Sequence, residues 1–276
     1  MCGRYVSPDE AALERYWDYK FDGSFKGIGN GRAERVNYNT CPTQMVPVEI
    51  INDRGEPEIV MMRWGMDRID PATGEISPKK LNNARYEGYT RVRPFADAWK
   101  AGRRCIQLVM GYYEWMVRED GKKVPYYIRP SDQGETFGLA GLYHTAADGT
   151  LACAHITLPP NAVLARIHER MPAILRFEDH HAWLKGDPKA AYACVQAYPA
   201  ELTELTRVSP RVSQTRNNDA ALIEPYDEDA EEKPREETQE KAVGEQAPMA
   251  KAKKEKAAKA QPEKKNKDDG QAGFDF

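Results

Sequence analysis

The sequence is poor in most features that would assign it at a glance. Its 276 residues hold five cysteines, an odd number with no Cys-x-x-Cys spacing and no secretory signal ahead of them. That argues against a disulfide framework and fits a reducing cytoplasm. No apolar run approaches the roughly 20 residues of a spanning helix, so no membrane attachment is expected. There is no glycine-rich phosphate loop, no internal repeat and no ligand spacing for a metal, so neither cofactor nor metal is expected. Charge of one sign is not in excess either: 40 Lys and Arg stand against 43 Asp and Glu, and through Pro225 the two signs balance at 29 each. Blanket electrostatic adhesion to nucleic acid is thereby excluded. A nucleic-acid site would have to come from local clustering of arginines such as Arg4, Arg85, Arg91, Arg93, Arg103, Arg104, Arg166 and Arg170.

Apolar residues are also scarce in one place only. Of 26 aromatics, just Tyr226, Phe274 and Phe276 lie beyond Pro225. Residues 226–276 carry 14 acidic and 11 basic side chains, too little apolar surface to offset roughly 1–2 kcal/mol of backbone entropy per ordered residue. The expected organisation is a folded domain over residues 1–225 and a disordered charged tail over 226–276. Within that tail, 227–245 hold nine acidic and three basic side chains, and 251–267 hold eight lysines and two glutamates, the pattern of a solvated spacer.

What the first 225 residues do contain reads as an α+β domain with a mostly antiparallel β core. Ser7-Pro8-Asp9-Glu10, with Ser7 as cap and proline at the first helical position, precedes Ala12, Leu13, Tyr16 and Trp17 at helical spacing, which predicts a helix over residues 8–19. Met45 to Ile51 and Glu58 to Trp64 read as strands around the turn Asn52-Asp53-Arg54-Gly55, a hairpin. Further strands are expected at Cys105–Met110, Tyr113–Val117, Val124–Arg129, Thr136–Tyr143 and Leu151–Leu158. Short helices are expected at Phe95–Lys100, Ala162–His168, Glu178–Leu184 and Pro188–Gln196.

Four cysteines sit among apolar or strand-like neighbours and read as small buried hydrophobes. Cys2 differs, because methionine followed by a small residue is the usual substrate of methionine aminopeptidase and the mature chain would begin with Cys2. An N-terminal cysteine holds an α-amine of pKa about 7.7–8.0 and a thiol of pKa about 8.5 on one residue. An aldehyde would condense with the amine to an imine, and the thiol would close a five-membered thiazolidine on the same carbon. Elsewhere, Asn83-Ala84-Arg85-Tyr86-Glu87 gathers an amide, a guanidinium and a carboxylate. Glu114 lies inside the apolar run Met110-Gly111-Tyr112-Tyr113-Glu114-Trp115, where it must be paired, hydrogen-bonded or functional, and burial would raise its pKa. His168 stands near a short helix end stopped by Pro172.

Seven segments in this order resemble one family: Cys2-Gly3-Arg4-Tyr5, Tyr38-Asn39-Thr40-Cys41-Pro42-Thr43-Gln44, Arg63-Trp64-Gly65-Met66, Asn83-Ala84-Arg85-x-Glu87, Gly111-Tyr112-Tyr113-Glu114-Trp115, His168-Glu169-Arg170-Met171-Pro172 and Val208-Ser209-Pro210-Arg211-Val212. They are similar to the SRAP family, the SOS-response-associated peptidase or abasic-site-shielding proteins, over residues 2 to about 225. The resemblance implies a barrel-like fold and a cytoplasmic, nucleoid-associated monomer that binds single-stranded DNA and captures abasic sites through a thiazolidine on Cys2. It implies that Asn83 holds the amine or the opened sugar. It implies that Glu114 accepts the amine proton, and that His168 relays protons for ring opening and reversal. Arg4, Arg85 and Arg170 would contact phosphates or line the site, and Pro42 and Trp64 would stack on or wedge between bases. For Trp64 the competing reading is core packing. Cys41 and the segment Ile106-Gln107-Leu108-Val109-Met110 depart from the family's usual pattern and leave the local loop shape open.

Two other functions are weighed beside this one. The same Cys2, Asn83, Glu114 and His168 could support acyl chemistry in a cysteine peptidase, although no motif supplies a peptide cleft or oxyanion donors. A single-strand-binding adaptor with an incidental Cys2 is the other. In the tail, Gln271-Ala272-Gly273-Phe274-Asp275-Phe276 resembles the bacterial sliding-clamp-binding peptide, with Gln271 at the pocket rim and Phe274 and Phe276 in an apolar groove; Gly273 departs from that pattern.

Overall fold

The computed structural model describes residues 2–21, 24–70 and 72–227. Most of the proposed tail, including Gln271, Phe274 and Phe276, lies outside the described residues. The described elements run in the order β1 (Tyr5–Ser7), α1 (Glu10–Lys20), β2 (Asn37–Thr40), β3 (Met45–Ile51), β4 (Pro57–Trp64), β5 (Met66–Ile69), β6 (Ile76–Leu81) and β7 (Asn83–Arg85). Then come α2 (Phe95–Lys100), β8 (Arg104–Val109), β9 (Gly111–Val117), β10 (Lys123–Pro130), β11 (Phe137–Thr145) and β12 (Leu151–Leu158). Last are β13 (Met171–Pro172), β14 (Ile174–Leu175), α3 (His180–Lys185), α4 (Pro188–Ala193) and β15 (Thr203–Arg207).

Strands β12, β4, β3, β8 and β11 pair in that order, and β11 pairs again with β12, so five strands close into a barrel. Closure leaves the central strands without free edges. All pairings in the ring are antiparallel except β4 with β12, where Ala152 lies opposite Arg63. β7 lies parallel on β12, with Asn83 opposite His155. A second sheet in the order β15-β10-β9-β1-β2 packs the N-terminal segment beside β9.

The β3–β4 hairpin forms where the sequence predicts it. Asn52 Oδ1 accepts from the backbone N–H groups of Arg54 and Glu56, both at 3.0 Å, and Gly55 takes the φ of +79° that the turn requires. Helix α1 differs in its cap. Ser7 is the last residue of β1, and the cap is Asp9, whose Oδ1 accepts from the Ala12 N–H at 2.9 Å. Ala12, Leu13 and Tyr16 face the barrel, and the Tyr16 hydroxyl donates to the buried Glu49 of β3 at 2.6 Å. The helix expected over 162–168 is only a 3-10 turn, Leu164–Arg166, and that expected over 178–184 begins with the 3-10 turn Phe177–Asp179 before α3.

The chain passes from barrel to second sheet at Met110-Gly111. A Cβ at Gly111 would fall 2.2 Å from the ring of Tyr127, whose hydroxyl is held by the Met110 carbonyl at 2.6 Å. Only glycine allows that approach. Beyond it, alternation along β9 sends Tyr112 and Glu114 to one face and Tyr113 and Trp115 to the other. Tyr112 joins the main core with Cys2, while Tyr113 joins a second cluster with Tyr127, Val208 and Val212.

Candidate active site

Four segments far apart in sequence converge beside the N-terminus. Cys2 is 0% exposed, its Sγ lies 3.9 Å from the Arg4 carbonyl, and burial pushes its thiol well above the usual range. Asn83, the first residue of β7, donates from Nδ2 to the Cys2 carbonyl at 3.0 Å, and its Oδ1 is buried without a partner. Glu114 is 4% exposed. Desolvation raises its carboxyl to about 7, near the value at which one group both takes and returns a proton in neutral solution. His168 Nε2 stands 4.0 Å from Glu114 Oε2. His168 Nδ1 accepts the Arg170 N–H at 3.1 Å, so the neutral imidazole carries its proton on Nε2, toward Glu114. Burial lowers the imidazole's pKa, which favours that neutral form.

The other motifs scaffold this centre. The Arg4 carbonyl accepts from Tyr113 N at 2.9 Å, docking the N-terminal segment on β9. Arg4 Nη1 donates to Asn39 Oδ1 at 2.8 Å and to the Val212 carbonyl at 2.9 Å. Asn39 Nδ2 in turn reaches the carbonyls of Val212, Gln214 and Asn217 at 3.2, 3.0 and 2.8 Å. The Tyr38 and Val208 motifs thus hold each other and Arg4. Pro42 is half-buried on the β2–β3 connection, which is clipped to β4 by Thr43 N to Trp64 O at 2.7 Å and Trp64 N to Gln44 O at 2.9 Å.

One expectation is corrected. The Trp64 ring is 0% exposed, 4.8 Å from the Tyr5 ring and 5.5 Å from that of His155. It cannot stack on a base, and the core-packing reading is the one the structure bears out. Its Nε1 donates to the Asn82 carbonyl at 2.9 Å, which helps set the position of Asn83. Arg170 is buried and committed: it donates to both Glu87 carboxylate oxygens at 2.6 and 3.0 Å, and to the Thr157 carbonyl. It braces the turn after β7 against β12 and holds the Glu87 carboxyl below its usual range. A phosphate contact would have to displace that bidentate partner. Arg85, by contrast, is exposed at the end of β7.

Sequence reasoning missed Tyr112. Its ring is fully buried in the same core as Cys2, and its hydroxyl has no hydrogen-bond partner. The available signal was its spacing, two residues before Glu114 on one strand. Among the described residues no group of three or more His, Cys, Asp or Glu side chains could hold a metal ion. Nor is any helix there long and apolar enough to cross a membrane.

A closed barrel flanked by a second sheet, with a cysteine, an amide, a raised carboxyl and a neutral imidazole at the N-terminus, matches known proteins. The model of the SOS response associated peptidase (SRAP) family matches residues 1–215, and the chain belongs to that family. It is 33% identical to the abasic site processing protein YoqW of Bacillus subtilis, over 82% of this chain and all of that one. The abasic site processing protein HMCES of Xenopus tropicalis is 27% identical over 79% of this chain and 76% of its own. A crystal structure of a Bacteroides thetaiotaomicron protein has the same fold, with a TM-score of 0.64, 18% identity, and coverage of 82% of this chain and 100% of that one.

Proposed function

We propose that this protein binds single-stranded DNA and captures abasic sites as a thiazolidine on its mature N-terminal cysteine. The observation that carries the reading is the meeting of Cys2, Asn83, Glu114 and His168 from four separate segments. Removal of Met1 puts an α-amine on Cys2, beside its thiol. In the proposed sequence His168 assists opening of the deoxyribose ring to its aldehyde. Glu114 takes a proton from the ammonium, whose ordinary pKa of about 7.7–8.0 is close to the raised carboxyl. The amine adds to the aldehyde carbon, and water leaves to give an imine. The thiol then adds across that C=N bond, sulfur to carbon and its proton to nitrogen. Asn83 holds the cysteine carbonyl and fixes the angle of approach.

Arg4, Arg85 and Pro42 are the groups assigned to the flanking strand, in a mode that reads backbone and base faces and not sequence. The names of YoqW and HMCES support an abasic-site substrate for this chain. The segment Gln271–Phe276 is assigned to docking on a replication clamp, on its sequence alone.

The test is intact mass after incubation with abasic single-stranded DNA. Wild type gives a heat-stable adduct lacking Met1 and one water, and DNA of the same sequence without the lesion gives none. Cys2→Ser gives only an imine that borohydride must trap, since the amine survives and the ring-closing thiol does not. A heat-stable adduct from Cys2→Ala without reduction would falsify the mechanism. Release of peptide products from an offered polypeptide, with no DNA adduct, would favour the peptidase alternative.

A further inference from the structure

Outside this centre, an open cleft of about 620 Å³ lies between the turn after β7 and helix α4, within the roughly 300–1,000 Å³ usual for small-ligand sites. Tyr86, Trp99 and Tyr192 supply its aromatic surface, Arg91 and Lys189 its positive charge, and Glu87 its one carboxylate. The aromatic wall is built in depth. The rings of Tyr86 and Tyr192 are 5.2 Å apart. Behind them the buried Tyr89 stacks on Tyr192 at 6.0 Å and meets Trp99 edge-on at 5.2 Å. Tyr192 nevertheless keeps 39% of its surface exposed. An exposed tyrosine braced by buried rings is a rigid platform with little side-chain entropy left to lose.

The electrostatics are suited to a polyanion. Glu87 is neutralised by the bidentate Arg170, which leaves exposed Arg91 and Lys189 at the lining and exposed Arg85 one residue before Tyr86. The position is also suited. Asn83 opens β7 and Tyr86 stands in the turn that follows it, so the cleft adjoins the strand that carries Asn83.

We propose that the cleft lined by Tyr86, Trp99 and Tyr192 is a nucleobase-stacking subsite, which receives a base flanking the abasic nucleotide while Arg91 and Lys189 take the adjoining phosphates. The inference rests on the single-strand reading above and adds to it where the strand goes. Such a platform accepts any base, since every base presents a π-face.

The experiment uses the full-length protein and oligonucleotides with a tetrahydrofuran abasic analogue, which has no aldehyde and cannot crosslink. Affinity is measured for a long strand centred on the lesion and for a strand of equal length in which every position is the base-free analogue. In Tyr192→Ala the long strand with bases binds on the order of 10-fold more weakly, the size of one lost stacking contact, while the base-free strand binds as in wild type. Tyr192→Phe, which keeps the ring, retains the long-strand affinity. Lys189→Glu, an exposed change that leaves the core alone, lowers it and flattens its salt dependence. A fluorescent adenine analogue moved along the strand is quenched at one flanking position in wild type and not in Tyr192→Ala. Equal long-strand binding by wild type, Tyr192→Ala and Lys189→Glu, or the absence of any quenched position, overturns the subsite. Wild type that forms no adduct with true abasic DNA overturns the functional reading itself, a different result.

Discussion

Glu114 shows at the scale of one residue how function opposes stability. Its carboxyl ordinarily titrates near 4.5 and is raised by burial to about 7. Between those values the folded protein binds a proton that the unfolded chain does not, so stability falls as pH rises through this window and is fully present only below it. Glu114→Gln removes a charge that burial disfavours and keeps the shape. It is expected to unfold at higher urea than wild type at pH 8 and to lose most of that advantage at pH 5, while adduct formation slows by roughly 10²–10⁴-fold. A variant that slowed crosslinking without any pH-dependent gain in stability would break the link between the raised carboxyl and its catalytic use. His168→Ala tests the partner: both sugar ring opening and release of a preformed adduct should slow, read by strand exchange, and an unchanged adduct lifetime removes His168 from reversal. Cys2, Asn83, Glu114 and His168 stand out in the sequence because each is a reactive or polar type inside a family-like motif. Trp64 was left between base stacking and core packing because a motif match does not say which way a side chain faces. Trp64 Nε1 and the Arg170 guanidinium find partners inside the protein, and only the fold reveals them.

Elements were legible in proportion to their apolar content. β3, β4, β8 and β12 are nearly continuous buried runs, and their bounds agree with expectation to within a residue or two. β1, β2 and β7 are short and two of them polar, so no period of two could emerge. They are strands because neighbours complete their hydrogen bonds: β1 lies between β9 and β2, and β7 lies on β12. β7 carries Asn83 and β1 follows closely on Cys2, while Glu114 lies on β9 and His168 between Arg166 and β13, so local patterning could not assemble the site. Gly111 offers a test at this scale. A methyl there meets a Tyr127 ring that is buried and hydrogen-bonded, so it cannot simply swing aside. Gly111→Ala is expected to cost about 1–3 kcal/mol in urea unfolding and to slow adduct formation even where the protein remains folded, by displacing Tyr112 and Glu114 together. Loss of stability with an unaltered single-turnover rate would mean that β9 keeps its register without the glycine.

At the scale of the whole molecule the balanced charge of residues 1–225 matters most, because 29 acidic against 29 basic side chains give no long-range field to hold the protein on DNA. Local contacts near one lesion can hold it only after encounter, so the encounter rests on diffusion unless another part of the chain delivers the protein. The sequence beyond residue 226 contains a candidate: Gln271, Phe274 and Phe276 have clamp-peptide spacing, and two phenylalanines in six residues stand out where other aromatics are nearly absent. Joined to the folded part by roughly fifty residues, a clamp-bound peptide would keep the reactive centre at an effective concentration near the millimolar scale beside newly exposed single strand. Calorimetry of the last twelve residues as a peptide against a bacterial sliding clamp is expected to give saturable binding that is abolished by Phe274→Ala together with Phe276→Ala. In the full-length protein the same double substitution is expected to leave adduct formation on free abasic oligonucleotides unchanged, and to slow it on primed templates loaded with clamp. No heat of binding at high micromolar clamp, or binding indifferent to both phenylalanines, would remove the docking role and leave the trap to find lesions by diffusion alone.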